Sequence, residues 1–397
     1  MYDAEVVIVG GGPAGLSTGL FLLHHEPSLV GRVVLLEKDV YPREKICAGA
    51  VGARAERALA SIGVVVEAPS VEIAGITIRT RNAARSERSR SSRIGRVVRR
   101  REFDAALMMR AKQQGLVVQA GAGVRAVHRI AEGVRVDSAA GSLSARVVVG
   151  ADGVGSVVRR FLGLGHTRYR AQALEIDTPA TRGDAARDLL HFDVSNRRFP
   201  GYYWDFPTVI DGQAMWSRGV YLLKRADQGA PDVVLHEVLD EALRARGLRL
   251  TDFRQKRFAE RGFEPHRPAA AARVLLVGEA AGIDPITGEG IAQAVLYGKL
   301  AGEYIAEKLR GNDLAFRDWA SAFTAARVGG ELRARERAVD LFYGALRPWM
   351  ESILTDNPYA LRLAMQHFAG ESLATRDAVR AGTRLLTQPL RTLICSR

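Results

Sequence analysis

The chain has 397 residues and a mass of 43.2 kDa, with 47% hydrophobic and 25% charged residues and a mean hydropathy of -0.05. That length allows a large core over two to three domains, and the composition excludes a disulfide-stapled miniprotein, a disordered chain and a coiled-coil rod. The formal net charge of +13 points toward anionic partners, yet only seven of the 57 basic residues are lysine and ten arginines crowd between Arg79 and Arg101, which reads as a solvated local segment and not as a nucleic-acid surface.

From Glu5 an apolar strand, VVIVG, runs without a basic leader into Gly10, Gly12 and Gly15, with Pro13 and Ala14 between them. Helical spacing through Leu16, Leu20 and Leu23 follows, and a second strand, VVLLE, ends at Glu37, which makes a βαβ opening. Glycines at this spacing suit a pyrophosphate: they allow a tight turn, close backbone approach, and a helix whose first N–H groups face the anion. Glu37 stands about 20 residues beyond Gly15, where a carboxylate accepts both ribose hydroxyls and disfavours a 2′-phosphate. FAD or NAD is therefore expected here over NADP.

The loop YPREKICAGAV, Tyr41 to Val51, comes next and carries Arg43, Lys45, Cys47 and Ala48. Its basic residues, with Lys38 just before them, either contact the dinucleotide or are solvated. Cys47 is either a proton donor near the reacting centre or a small buried hydrophobe. The Ser/Arg-biased run from Arg79 to Arg101 then predicts an exposed hairpin or loop, with docking on an anionic lipid surface or an acidic redox partner as the alternative.

A second glycine-rich transition follows the apolar run Val147 to Val149, as GADGVGS with Asp152 and Gly153. Between about Gly165 and Arg267, short runs such as LLHFDV, PGYYWDFP and MWSRGVYLL predict a β-rich insertion. Tyr202, Tyr203, Trp204 and Phe206, bracketed by Pro200 and Pro207, together with Trp216, make either an apolar pocket wall or an ordinary core. The third transition runs from Val274 to Val277 through GEAAG and DPITGEGI into a long amphipathic helix ending near Leu309. It carries Glu279, Pro285, Gly288, Gly290 and Ile291. After about Asn312 the pattern is helical, with Phe342, Leu346, Trp349, Met350, Ile353 and Leu354 spaced as one apolar face.

CxxC, HExxH, GxSxG and Walker sequences are absent, so metal, serine and nucleoside-triphosphate chemistry have no support and no metal site is expected. Two cysteines, Cys47 and Cys395, imply no disulfide framework. No run of about 18 apolar residues is present, and the expected setting is cytoplasmic.

Taken together, GGGPAG at Gly10 to Gly15, GADG at Gly150 to Gly153, and GEAAG at Gly278 to Gly282 with GEGI at Gly288 to Ile291 resemble the flavoprotein hydroxylase superfamily. The resemblance implies FAD in an α/β, Rossmann-like domain of the GR2 type, with an inserted β-rich substrate domain and a C-terminal helical segment. The discontinuous FAD-binding part would be 1–75, 95–165 and 268–311, the β-rich part 76–94 and 166–267, and the helical cap 312–397. It places Asp152 near the pyrophosphate, Glu279 where the family has an aspartate that holds the ribityl chain, and the helix start at Gly288 to Ile291 at the flavin pyrimidine edge. Arg101, in RREFDAAL, matches the family arginine that touches FAD.

YPREKICAGAV and PGYYWDFP further resemble the geranylgeranyl reductase branch, although Ala48 replaces a glycine and the aromatic box is one residue shorter. The resemblance implies reduction of carbon–carbon double bonds of a hydrophobic substrate, prenyl-type or a polyene secondary metabolite, with Cys47 or Tyr203 expected to supply the proton. A monooxygenase acting on an aromatic or unsaturated substrate, a flavin-dependent halogenase and a non-catalytic flavin redox sensor are the alternatives. No second nicotinamide fingerprint is visible, so NAD(P)H or a ferredoxin-like donor would bind transiently.

Overall fold

The computed structural model describes residues 2–89, 93–227, 234–265 and 269–371. The end of the expected helical cap, 372–397, with Cys395, lies outside the described residues, as do positions 90–92 of the arginine-rich run.

Continuous apolar strands build the first sheet. Ala4–Val9 and Val33–Glu37 are buried at every position, as strands covered on both faces must be. They pair in parallel with each other, and Ala4–Val9 pairs in parallel with Gly141–Gly150, which in turn pairs with Val274–Leu276. Val117–Ala120 extends the sheet beyond Val33–Glu37. An antiparallel ribbon, Val124–Arg129 with Val134–Ser138, hangs from Gly141–Gly150. All three glycine-rich transitions leave this sheet at the carboxyl ends of neighbouring strands, where open α/β sheets bind ligands. The helices Pro13–His25 and Ile291–Arg310 pack on each other against it.

The second sheet has seven strands in the order Lys256–Arg261, Tyr169–Pro179, Gln213–Arg225, Gly201–Ile210, Leu189–Asp193, Gly75–Arg79, Ala84–Arg88. Its pairings are antiparallel except where Leu189–Asp193 meets Gly75–Arg79. One face carries Ala171, Ala173, Tyr202, Trp204, Phe206, Tyr221 and Leu223 and turns toward the C-terminal helices. The other carries Leu174, Ile176, Tyr203, Val220 and Leu222 and is covered by the helix Leu235–Arg244. A small third sheet joins Ala50–Gly52, Gly95–Val98 and Ser70–Ile73.

Two expectations are modified. The arginine-rich run is an exposed edge strand only over Ala84–Arg88, and Arg79 is the exposed end of the otherwise buried strand Gly75–Arg79 beside it. Beyond Arg88, Arg96 pairs with Glu56, Arg99 with Asp177 and Arg100 with Asp104, because this stretch re-enters the core as a strand and a helix start. The C-terminal apolar face is divided between the helices Arg327–Tyr343 and Arg347–Asp356, since Gly344 adopts an extended conformation between them. Phe342, Met350 and Leu354 still face one cavity, while Leu346 is exposed. No helix among the described residues is long and apolar enough to cross a membrane.

Candidate active site

The first of two adjoining cavities is a cleft of about 530 Å³ over the carboxyl ends of the parallel strands. Gly10 has φ +105°, and a Cβ there would collide with the Ala151 carbonyl, so only glycine closes this turn. Gly12 caps the helix Pro13–His25, with Pro13 preset at its first turn, and Gly15 lets that helix press against the Gly10 carbonyl. Glu37 lines the cleft wall. Its carboxylate accepts from Gly11 N at 2.6 Å and Asp39 N at 3.0 Å, so its position is fixed by the backbone.

Arg43 and Arg100 reach the rim of the cleft near Gly12. Both are buried, and both donate to Asp104, a residue with no solvent exposure. Lys38 and Lys45 line the same cleft. Arg101, matched by sequence to a cofactor contact, is corrected here: it points to solvent, 3.8 Å from Glu44 and 55% exposed, and does not line the cleft. One step along a helix rotates a side chain by about 100°, so the preceding arginine takes the inward place.

Asp152 and Gly153 also line the cleft. The Asp152 carboxylate accepts from Ser156 Oγ at 2.5 Å and Val157 N at 2.6 Å, holding the start of the short helix Val157–Phe161, and burial pushes its pKa up. Glu279 faces the cleft with Oε1 lacking any hydrogen-bond partner. Burial pushes its pKa up too, against the pull of Lys45, Arg100 and Arg261. Gly290 caps the helix Ile291–Arg310 and, with Gly288 and Ile291, lines both cavities. Pro285 lines neither; its carbonyl accepts from Tyr221 Oη at 3.1 Å.

The second cavity, about 580 Å³, lies between the second sheet and the C-terminal helices. Ile76, Ile78, Phe192, Phe342, Leu354 and Phe368 give it a mostly apolar wall. Tyr202, Trp204 and Phe206 project into it from alternate positions of one strand, and Tyr202 stacks on Tyr221 with ring centroids 5.1 Å apart. Gly219, opposite Trp204, leaves room for that indole. Ala48 lines this cavity and not the cleft, and Cys47 lines both. The Cys47 thiol accepts from Gly49 N at 3.4 Å, and burial pushes its pKa up.

Tyr203 and Trp216 are the other corrections. Tyr203 lies on the far face of the sheet, where its hydroxyl donates to Asp205 within the buried group around Arg218 and Arg246. Trp216 packs against Arg187 and Arg218, with ring-to-guanidinium distances of 5.6 and 5.4 Å. Neither lines either of the two cavities described, because strand side chains alternate and theirs have the wrong parity.

Residues unmarked in the sequence also enter the site. Glu260 and Phe258 line both cavities from the strand Lys256–Arg261. Their only signal is the period-two spacing in KRFAER, which its charges disguise as an exposed run. Asp284 accepts from Ile286 N at 2.8 Å and from Arg335, which ties the loop before Gly288 to a C-terminal helix.

Comparison with known proteins identifies the family and the fold. The family described as "FAD binding domain" matches residues 3–313. Digeranylgeranylglycerophospholipid reductase of Methanothrix thermoacetophila is 29% identical over 58% of this chain, and the match covers 60% of that protein's length. Digeranylgeranylglycerophospholipid reductase 1 of Methanococcoides burtonii is 28% identical over 78% of this chain and 76% of its own. The solved structure of a geranylgeranyl bacteriochlorophyll reductase-like protein from Thermoplasma acidophilum shares the fold with a TM-score of 0.69, at 20% identity, over 98% of this chain and 97% of that one.

Proposed function

The chain belongs to the FAD-binding-domain family and is an FAD-dependent oxidoreductase, and from that premise we propose that it reduces carbon–carbon double bonds of a hydrophobic, prenyl-type substrate. The observation that carries this reading is the apolar cavity of about 580 Å³ that meets the nucleotide cleft at Cys47, Phe258, Glu260, Gly288, Gly290 and Ile291. Its size falls within the roughly 300–1,000 Å³ usual for small-molecule sites. A chain of isoprene units gains about 0.8 kcal/mol per buried CH₂ there, enough for binding without a polar anchor.

The cleft residues suit FAD. Glu37 would take the ribose hydroxyls, while the helix start at Gly12 with Arg43 and Arg100 would face the pyrophosphate. Glu279 Oε1, which lacks a partner, is available to the ribityl hydroxyls, and the helix start at Gly290 would face the pyrimidine edge. FAD, when bound and reduced, supplies a hydride. The protein's part is to hold the olefin against the junction, exclude water with Tyr202, Trp204, Phe206 and Phe258, and supply a proton. An NAD(P)H or ferredoxin-like donor restores the reduced state between turnovers.

The strand that carries Arg79 also lines the cavity with Ile76 and Ile78, which supports uptake of a lipid from an anionic bilayer surface. The deciding experiment reduces the FAD-loaded protein anaerobically and mixes it with a geranylgeranylated glycerophospholipid or with oxygen. Reoxidation by the lipid, with a saturated product, is expected; rapid reoxidation by oxygen alone rejects the reductase reading.

A further inference from the structure

Of the residues shared by the two cavities, only Cys47 and Glu260 have ionisable side chains. Glu260 sits on the strand Lys256–Arg261 with its side chain on the same face as Lys256 and Phe258. Lys256 is paired with Glu175 and Asp177. Two alternations along, Glu260 has no cation within ion-pair distance among the described residues, and its Oε2 is buried without a hydrogen-bond partner. The opposing strand presents Ala171 and Ala173, whose small side chains leave the carboxyl room. Across the junction the carboxyl abuts the backbone of Gly288, which has φ +65° and where a Cβ would collide with Oε2.

An unpaired buried carboxylate is costly, and such a group keeps its proton. Burial, reinforced by the charges of Glu279 and Asp284 and opposed by Lys45, holds the Glu260 pKa well above the usual carboxyl range. Glu279 lines the nucleotide cleft and not the apolar cavity, Asp284 is bonded to Arg335, and the two phenols facing the junction are committed elsewhere. Tyr202 donates to the Thr287 carbonyl at 2.5 Å and Tyr221 to the Pro285 carbonyl at 3.1 Å. Burial raises both phenols far out of range, and the Cys47 thiol is raised as well.

We propose that Glu260 is the proton donor of this oxidoreductase, a role that rests on the double-bond reductase reading above. The substrate π bond breaks; one carbon takes a hydride from the reduced cofactor and the other takes the Glu260 carboxyl proton. The alkene gains two electrons, the cofactor loses two, and the carboxylate left behind is reprotonated by water before the next turnover.

The test compares wild type with Glu260→Gln and Glu260→Asp, all loaded with FAD. Infrared spectra near pH 7 should show a neutral-carboxyl carbonyl stretch that disappears in Glu260→Gln. Single-turnover reduction of a geranylgeranylated glycerophospholipid should slow by about 10²–10³-fold in Glu260→Gln, with partial recovery in Glu260→Asp. FAD content and reoxidation by oxygen should stay within about twofold. Absence of the infrared band, or lipid reduction by Glu260→Gln at the wild-type rate, overturns the assignment of Glu260 alone. Failure of the wild type itself to reduce the lipid overturns the reductase reading, and the proton-donor role with it.

Discussion

Arg43 and Arg100 share a single buried carboxylate: Asp104 accepts from Arg43 Nη2 at 2.9 Å and from Arg100 Nε and Nη2 at 2.7 Å each. Asp104 bonds both guanidiniums, with Glu37 a further 3.7 Å from Arg43 Nε, and so holds the two arginines at the cleft rim beside Gly12, where their free N–H groups would face a pyrophosphate. Replacing Asp104 with Asn removes the carboxylate bonded to Arg100 and leaves Arg43 only the more distant Glu37, a loss of roughly 3–5 kcal/mol of stability. Thermal melting of the apo protein should register it, and added FAD should restore part of the loss.

Arg100→Ala should weaken FAD binding by about 10–100-fold, in keeping with charge-assisted hydrogen bonds of roughly 1.5–3 kcal/mol. Arg101→Ala should leave affinity within about twofold. Titration of the apo protein by flavin fluorescence separates the two, and equal losses would refute the inward placement of Arg100.

The two faces of the aromatic strand should respond differently. Trp204→Ala opens the cavity wall and is expected to raise KM for a prenyl substrate while costing about 3–5 kcal/mol. Tyr203→Phe, on the far face, should leave kcat and KM within about twofold and act only on stability. Gly219→Ala places a methyl group against the Trp204 indole and should cost roughly 1–3 kcal/mol by overpacking. Steady-state kinetics beside urea denaturation of each variant distinguishes these outcomes.

His367 supplies a pH dependence. Burial, with Arg54 and Arg335 nearby, pushes its pKa down to about 4. The neutral ring fits its partners, since Nε2 lies 2.9 Å from Arg54 Nη1 and Nδ1 lies 3.4 Å from Glu331. The unfolded chain therefore binds the proton first, so this contribution is complete above about pH 6.5 and is lost as pH falls toward 4. It amounts to on the order of 3 kcal/mol. His367→Gln should flatten the melting temperature between pH 4.5 and 6.5 relative to wild type; an unchanged slope would assign the effect to other groups.

Charge reversal on the exposed hairpin, as Arg79→Glu with Arg81→Glu, should weaken sedimentation with anionic phospholipid vesicles by about tenfold or more, from roughly 1 kcal/mol per basic residue. Activity on detergent-dispersed substrate should be unaffected. Equal binding of wild type to neutral and anionic vesicles would remove this surface from the account of lipid uptake.

The nucleotide end of this protein is legible from local sequence. Gly10, Gly12, Gly15 and Glu37 lie within one βαβ unit, where chain connectivity alone brings turn, helix start and acid together. The three glycine-rich transitions and the insertion between them were legible for the same local reason. Tertiary structure decided the reactive end. Periodicity establishes that Tyr202 and Tyr203 face opposite ways, but which one meets the cavity depends on how the sheet is covered by the C-terminal helices and by Leu235–Arg244. Arg100 displaces Arg101 because a helix start is rotated to reach Asp104. Glu260 becomes a cavity residue only when its strand pairs with Tyr169–Pro179 and meets a loop at Gly288. Burial, not residue type, makes that carboxyl an acid, and burial belongs to the assembled fold.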